Sequence, residues 1–123
     1  MGWTSFLALP GAATLGRVIV VNRFRVPVPR GEEFRPQLQA AYEVLAAQRG
    51  FEAGAIGRNV DDPELWVLHT QWRDVGSYRR ALSTYDAKLT AVPTLSLAID
   101  EPGAYEPVVP GAVLNDPQAR SIG

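Results

Sequence analysis

Apolar and polar residues alternate along two segments of the chain, and this alternation predicts β-strands. In residues 17–26 one side carries Val18, Val20, Asn22, Phe24 and Val26, and the other carries Ile19, Val21, Arg23 and Arg25. In residues 65–72 the two sides are Trp66, Leu68, Thr70 and Trp72, and Leu65, Val67, His69 and Gln71. Because successive strand residues point to opposite faces of a sheet, each segment has one face suited to a core and one of mixed character.

Two other segments have apolar residues at helical spacing. Residues 31–49 carry Phe34, Leu38, Ala41, Tyr42 and Leu45. Residues 75 to about 92 carry a stripe of Tyr78, Leu82, Tyr85, Leu89 and Val92, with a break expected near Ser83 and Thr84. Asp74 or Ser77 can cap this second helix, and Pro93 disfavours its continuation.

The order of the predicted elements indicates the fold class. A weaker, glycine-containing strand is expected over residues 51–60 and a fourth strand over residues 104–109. The order β-α-β-β-α-β predicts an α+β, ferredoxin-like fold with an antiparallel four-stranded sheet. We expect one domain over residues 17–110, a flexible arm over 1–16 and a tail over 111–123.

Such a sheet carries its helices on one face only, so the other face of a monomer has no cover. Here that face would carry Ile19, Val21, Leu65 and Val67 beside polar residues. A half-apolar face of this kind predicts a homodimer joined sheet to sheet.

Composition excludes several classes of function. The 123 residues carry a net charge of −1, which argues against a nucleic-acid partner, although Arg17, Arg23, Arg25 and Arg30 form a local basic run. There is no cysteine and one histidine, so we expect no bound metal. The first sixteen residues lack a basic start and are too short to span a bilayer, which predicts a cytoplasmic protein without a membrane partner.

The junction of the third strand and the following helix carries the candidate chemistry. The strand ends in Trp72, Asp74 is an acidic cap, and Tyr78 lies in the first turn of the helix. This arrangement resembles the antibiotic biosynthesis monooxygenase family of the dimeric α+β barrel superfamily. The resemblance implies a dimeric barrel with a substrate cavity between the helices and the helix-facing side of the sheet.

The resemblance also implies an activity, which is oxidation of an anthrone-like polycyclic phenol to a quinone by O2 without metal or cofactor. The implied catalytic residues are Trp72, Tyr78 and Asn22, and Leu68 stands where some members have an amide. Asn22 is a buried-strand amide that a purely structural role explains equally well. The expected contacts to the aromatic substrate are Phe24, Trp66, Leu68, Thr70, Tyr42, Tyr85 and Leu89.

Two alternative functions stay open. One is haem binding and degradation, because the haem-degrading branch of the superfamily also has an asparagine at the position of Asn22. That branch adds a tryptophan and a haem-ligating histidine, and Ala81 and about Thr90 stand in their places here, which disfavours haem. The other is a dimer that binds a small molecule without catalysis, because a fold does not fix a function.

Overall fold

The computed structural model describes residues 16–115 and confirms the α+β, ferredoxin-like fold. The elements are β1 (Val18–Arg25), α1 (Gly31–Ala46), β2 (Phe51–Arg58), β3 (Leu65–Trp72), α2 (Val75–Leu82), α3 (Val92–Leu95) and β4 (Ala104–Tyr105). The strands form one antiparallel sheet in the order β2-β3-β1-β4. The predicted arm, apart from Gly16, and residues 116–123 of the predicted tail lie outside the described residues.

The pairing of β1 with β3 fixes which side chains share a face. Val18 lies opposite Trp72, Asn22 opposite Leu68, and Phe24 opposite Trp66. The face that covers the core is therefore the one predicted from the alternation. Its apolar members join residues of the helical segments in one buried cluster: Val18, Val20, Phe24, Phe34, Leu38, Ala41, Leu45, Trp66, Leu68, Trp72, Ala81, Ala87 and Ala91.

The second helical region differs from the predicted single stripe. α2 ends at Leu82, next to the expected break, and a π-helical turn over Ala87–Ala91 precedes α3. The break at Ser83 and Thr84 restarts the helical phase at Tyr85, and the i→i+5 bonds of the π turn shift the phase again at Leu89, so the later part of the stripe turns outward. Tyr85 and Leu89 are 77% and 64% exposed. The prediction that these two side chains face the sheet is therefore wrong.

Two element ends also differ from the predictions. The helix continues past Pro93 to Leu95, because the proline occupies the first turn of α3, where no donor is lost. β4 comprises only Ala104 and Tyr105, whereas residues 104–109 were expected to be extended. Pro107 has no backbone N–H to continue the ladder, which accounts for the short strand.

The local basic run does not form an unpaired cationic surface. Each of its arginines lies within 4.0 Å of an acidic side chain, the pairs being Arg17–Glu52, Arg23–Glu101, Arg25–Asp62 and Arg30–Glu33. The Arg23 guanidinium donates two hydrogen bonds of 2.7 Å to Glu101 and holds the pKa of that carboxyl below its usual value. Across residues 16–115, no helix is long and apolar enough to cross a membrane.

Candidate functional site

The end of β3 and the start of α2 bring Trp72 and Tyr78 into contact. Asp74 caps α2, because its Oδ1 accepts a hydrogen bond of 2.7 Å from the backbone N–H of Ser77. This cap turns the chain so that the rings of Trp72 and Tyr78 lie with centroids 5.5 Å apart at an angle of 52°. Trp72 and Tyr78, which the sequence predicted to be neighbours, are therefore in contact in the fold.

Ser77 fixes the position of this junction against β2. A Cβ at Gly50 would overlap the buried Ser77 side chain, which is 2% exposed. Only glycine at position 50 therefore leaves room for the Ser77 side chain. The φ of Gly50 is also +93°, a conformation that other residues rarely adopt. In addition, the backbone N–H of Arg73 donates to the Gly50 carbonyl over 2.8 Å. The start of α2 is therefore held at the beginning of β2.

The indole of Trp72 already has a hydrogen-bond partner inside the protein. Its N–H donates to Thr70 Oγ1 over 2.8 Å, and both side chains are buried. The ring of Phe51 also meets the Trp72 ring edge-on, with centroids 5.5 Å apart. Trp72 is therefore fixed in one orientation, and the Thr70 hydroxyl keeps its own proton to donate.

Tyr78 provides a polar group that no other described residue uses. Within residues 16–115 its hydroxyl has no hydrogen-bond partner. Burial of the ring raises the pKa of the Tyr78 phenol above its ordinary value. The group therefore stays protonated at neutral pH and can donate a hydrogen bond to a ligand.

Asn22 shares the helix-facing side of the sheet with Trp72 but lies some distance from it. Val18, not Asn22, is the residue opposite Trp72, and the separation of four positions between Val18 and Asn22 corresponds to roughly 13 Å along a strand. The Asn22 side chain is partly exposed and has no hydrogen bond to the described part of the chain. The structure therefore pairs Trp72 with Tyr78 and leaves Asn22 apart.

The predicted substrate contacts divide into three groups. Phe24, Trp66, Leu68 and Thr70 are buried on the helix-facing side of the sheet. Tyr42 is half-buried, and its hydroxyl donates to the carbonyl of Gly54 over 3.2 Å. Tyr85 and Leu89 lie on the outer surface, as stated above. Because Leu68 and Trp72 have no exposed surface, the core fills the space around them.

A cavity of about 280 Å³ opens at the other end of β1, near Phe24. Its walls come from the end of β1, the 3-10 turn Val28–Arg30, the start of α1 and the segment after α3. The lining residues are Phe24, Arg25, Val26, Pro27, Arg30, Glu33, Phe34, Gln37 and Leu97. Of the predicted site residues only Phe24 contributes. The helical pattern indicated Phe34 as a core residue, and no local signal indicated Leu97.

The open face of the sheet holds a buried amide. Gln71 has no exposed surface, and its Nε2 lies 3.1 Å from Nε2 of His69. Burial lowers the pKa of His69, which favours a neutral imidazole that accepts the Gln71 proton. Among the described residues nothing donates to Gln71 Oε1.

Across residues 16–115, no three His, Cys, Asp or Glu side chains are grouped so as to hold a metal.

Comparisons with known proteins agree with this architecture. SnoaB, a cofactor-independent oxygenase from Streptomyces nogalater, is 25% identical with a TM-score of 0.62, over 83% of this chain and 98% of SnoaB. A mutant form of SnoaB is 27% identical with a TM-score of 0.62, over 73% and 91% of the two chains. A conserved protein from Methanosarcina mazei Go1, at 19% identity and a TM-score of 0.64, covers 77% of this chain and 96% of its own, and it supports the fold alone.

Sequence comparison assigns the family. No curated protein sequence matches the chain. The sequence profile described as antibiotic biosynthesis monooxygenase matches residues 17–91, which is more than half of the chain. The protein therefore belongs to the antibiotic biosynthesis monooxygenase family.

Proposed function

We propose that this protein is a cofactor-independent monooxygenase that oxidises an anthrone-like polycyclic phenol to a quinone with O2. The observation that carries the proposal is the contact between Trp72 and Tyr78, with ring centroids 5.5 Å apart, in a chain of this family. The similarity to SnoaB, a cofactor-independent oxygenase, supports the same type of reaction.

The substrate supplies the electrons in this reaction. Loss of a proton from the CH2 carbon of an anthrone gives an electron-rich anion, which transfers an electron to O2. Recombination forms a carbon–oxygen bond, and protonation gives a hydroperoxide. Elimination of one water then leaves the quinone carbonyl, so one O2 is consumed and one water is released per turnover. The protein has to orient the rings and stabilise the negative oxygen.

Tyr78 is the residue to which we assign the stabilising hydrogen bond. Its hydroxyl has no partner among the described residues, and burial keeps it protonated. Trp72 is assigned a positioning role, because its N–H is engaged by Thr70 and its ring packs against Tyr78. Asn22 is the third proposed site residue, and its amide is available to bind a substrate oxygen further along the sheet.

The same proposal includes a homodimer joined through the open sheet face. Ile19, Val21, Leu65 and Val67 are only partly covered on that face. Burial of this mixed face against a second copy would remove apolar surface from water.

The test is oxidation of an anthrone by the purified, chelator-dialysed protein without added flavin or metal. We expect quinone formation in air at a rate well above the spontaneous oxidation, with one O2 consumed per quinone. Heat-unfolded protein is the control for spontaneous oxidation, and strictly anaerobic protein should form no quinone. A rate equal to that of the unfolded control would contradict the proposal, as would full activity only after addition of haem, flavin or metal.

A further inference from the structure

We propose that a cavity between the end of α1 and α2 binds a phosphate group. The cavity has a volume of about 220 Å³. Its walls come from the segment that follows α1, from α2 and from the turn after α2. The lining residues are Gln48, Arg49, Ser77, Arg80, Ala81 and Thr84. Neither Trp72 nor Tyr78 lines this cavity, so the inference does not rest on the proposed oxidation.

The lining carries two positive charges and no negative charge. Arg49 and Arg80 both line the cavity, and none of the other lining residues is acidic. The Arg49 side chain has no ion pair or hydrogen bond within residues 16–115. Arg80 has an ion pair with Asp74, but the distance of 3.9 Å is longer than a hydrogen bond. Both guanidinium groups therefore keep donors for an anionic ligand.

Hydrogen bonds hold the Arg80 guanidinium at the cavity. Its Nη2 donates to Ser77 Oγ over 3.3 Å, and Arg73 Nη2 donates to the same oxygen over 3.2 Å. Arg73 also donates to Asp74 Oδ2 over 3.3 Å, so Arg73 balances the charge of this carboxylate. The charges of Arg49 and Arg80 are therefore in excess around the cavity.

Ser77 adds a neutral donor to the lining. Its side chain is 2% exposed, and its Oγ accepts from both Arg73 and Arg80. These two bonds use the lone pairs of the oxygen and leave the hydroxyl proton. No acceptor for this proton lies among the described residues. Because a buried donor without an acceptor is unfavourable, the Ser77 hydroxyl favours a ligand that brings an acceptor oxygen.

These features select a dianionic oxyanion. A phosphate monoester carries a charge of about −1.5 to −2 at neutral pH and presents several strong acceptor oxygens. Its charge matches the excess of two guanidinium groups, whereas a carboxylate matches only one of them. Its oxygens can accept from Arg49, Arg80 and Ser77, which line one small cavity. A cavity of about 150 Å³ holds a benzene ring, so the present volume is sufficient for the smaller phosphate group.

An NMR titration of the isotope-labelled full chain with inorganic phosphate, at fixed pH and ionic strength, tests the proposal. We expect saturable shifts of the backbone amides around Arg49, Ser77 and Arg80. Acetate and chloride at matched ionic strength are the control anions and should give no saturable shift there. Phenyl phosphate is the second probe. If it binds as well as inorganic phosphate, the site accepts phosphate esters, and if it does not bind, the site is restricted to the free ion; either result supports a phosphate site.

Three substitutions test the proposed contacts. Arg49→Gln and Arg80→Gln should each weaken phosphate binding roughly two- to fivefold, the range for an exposed ion pair. Ser77→Ala should also weaken it, because the substitution removes the hydroxyl donor. Arg79→Gln is the matched control, since Arg79 precedes Arg80 on α2 and is exposed but does not line the cavity. It should leave the affinity unchanged.

Any of three results would overturn the proposal. The first is the absence of a saturable shift at tens of millimolar phosphate. The second is an equal response to acetate, which would show that the site does not select a dianion. The third is equal weakening by Arg79→Gln and Arg80→Gln, which would show that only the overall charge of α2 matters.

Discussion

The indole N–H of Trp72 donates to Thr70 Oγ1 over 2.8 Å, and neither side chain has more than 1% of its surface exposed. The two residues are two apart on β3, so they point to the same face of the sheet. A single strand therefore provides both the donor and the acceptor of a buried hydrogen bond. This bond fixes the indole on which Tyr78 packs.

We predict that Thr70→Val destabilises the protein by about 1–3 kcal/mol, because it leaves a buried N–H without a partner. In the double variant Thr70→Val, Trp72→Phe this penalty should largely disappear, since the donor is gone as well. Urea unfolding of the two single variants and the double variant measures the coupling. Thr94→Val is the control, because Thr94 is another buried threonine without a bond to an indole. Strictly additive free energies would show that the bond contributes nothing to stability.

We predict that Tyr78→Phe slows anthrone oxidation roughly ten- to a thousandfold, as expected for loss of one transition-state donor. Its stability should change by no more than about 1 kcal/mol, because the hydroxyl has no partner in the described part of the chain. Tyr85→Phe provides a matched control, since the Tyr85 ring is 77% exposed on the outer surface. Equal turnover in the two variants would remove Tyr78 from the site.

The features that the sequence predicted correctly depend on local patterns. Alternation in β1 and β3 specifies which side chains face the helices, because a shift of one residue would place Arg23 on the helix-facing side in place of Asn22. The contact between Trp72 and Tyr78 follows from a strand end, an acidic cap and one helical turn. All three lie within seven residues, so no distant part of the chain has to be known.

The features that the sequence did not predict depend on irregular structure or on contacts between distant segments. Tyr85 and Leu89 follow helical spacing, but the break after α2 changes the direction of Tyr85 and the π turn changes that of Leu89. A regular helical period in the sequence does not show either change. The cavity needs Leu97 next to Phe24, and that proximity depends on how the segment after α3 returns along β1. Packing between such distant segments leaves no periodic signal in the sequence.

Asp74 supports a prediction about pH. The hydrogen bond from the Ser77 backbone N–H holds the pKa of the Asp74 carboxyl below its usual value. A depressed pKa in the folded state stabilises the protein above the unfolded pKa of about 3.9, and this contribution is lost as pH falls through the folded value. Asp74→Asn keeps a capping acceptor but cannot titrate, so its unfolding free energy should fall less steeply below pH 4.

Asp74→Ala removes the cap itself and should cost about 0.5–2 kcal/mol at pH 7. Asp61→Ala is the control, because Asp61 is exposed and its side chain caps no helix. Chemical unfolding at a series of pH values measures both effects. An acid dependence of Asp74→Asn identical to that of the unaltered protein would show that Asp74 does not contribute to it.

The proposed dimer predicts that Val67→Lys dissociates the protein. Val67 lies on the open sheet face directly opposite Arg23, so a lysine adds a like charge beside an arginine as well as a charge within the interface. An aspartate would be a weaker test, because Arg23 could pair with it. Sedimentation at micromolar concentration should give a dimer for the unaltered protein and for Val60→Lys, and a monomer for Val67→Lys. A monomer in all three would refute the sheet-to-sheet dimer.

Asn22 allows a structural role to be separated from a functional one. Its side chain makes no hydrogen bond within residues 16–115, and it lies between Val20 and Phe24 on the helix-facing side of β1. We therefore expect Asn22→Leu to keep or raise the free energy of unfolding, by up to about 1 kcal/mol, because an apolar side chain suits that face. Anthrone oxidation should slow roughly tenfold or more if the amide binds a substrate oxygen.

Asn59→Leu is the contrasting variant, since Asn59 Oδ1 accepts from the backbone N–H groups of Asp61 and Asp62, and its loss should destabilise the turn. A large loss of stability in Asn22→Leu with unchanged turnover would identify Asn22 as a structural amide.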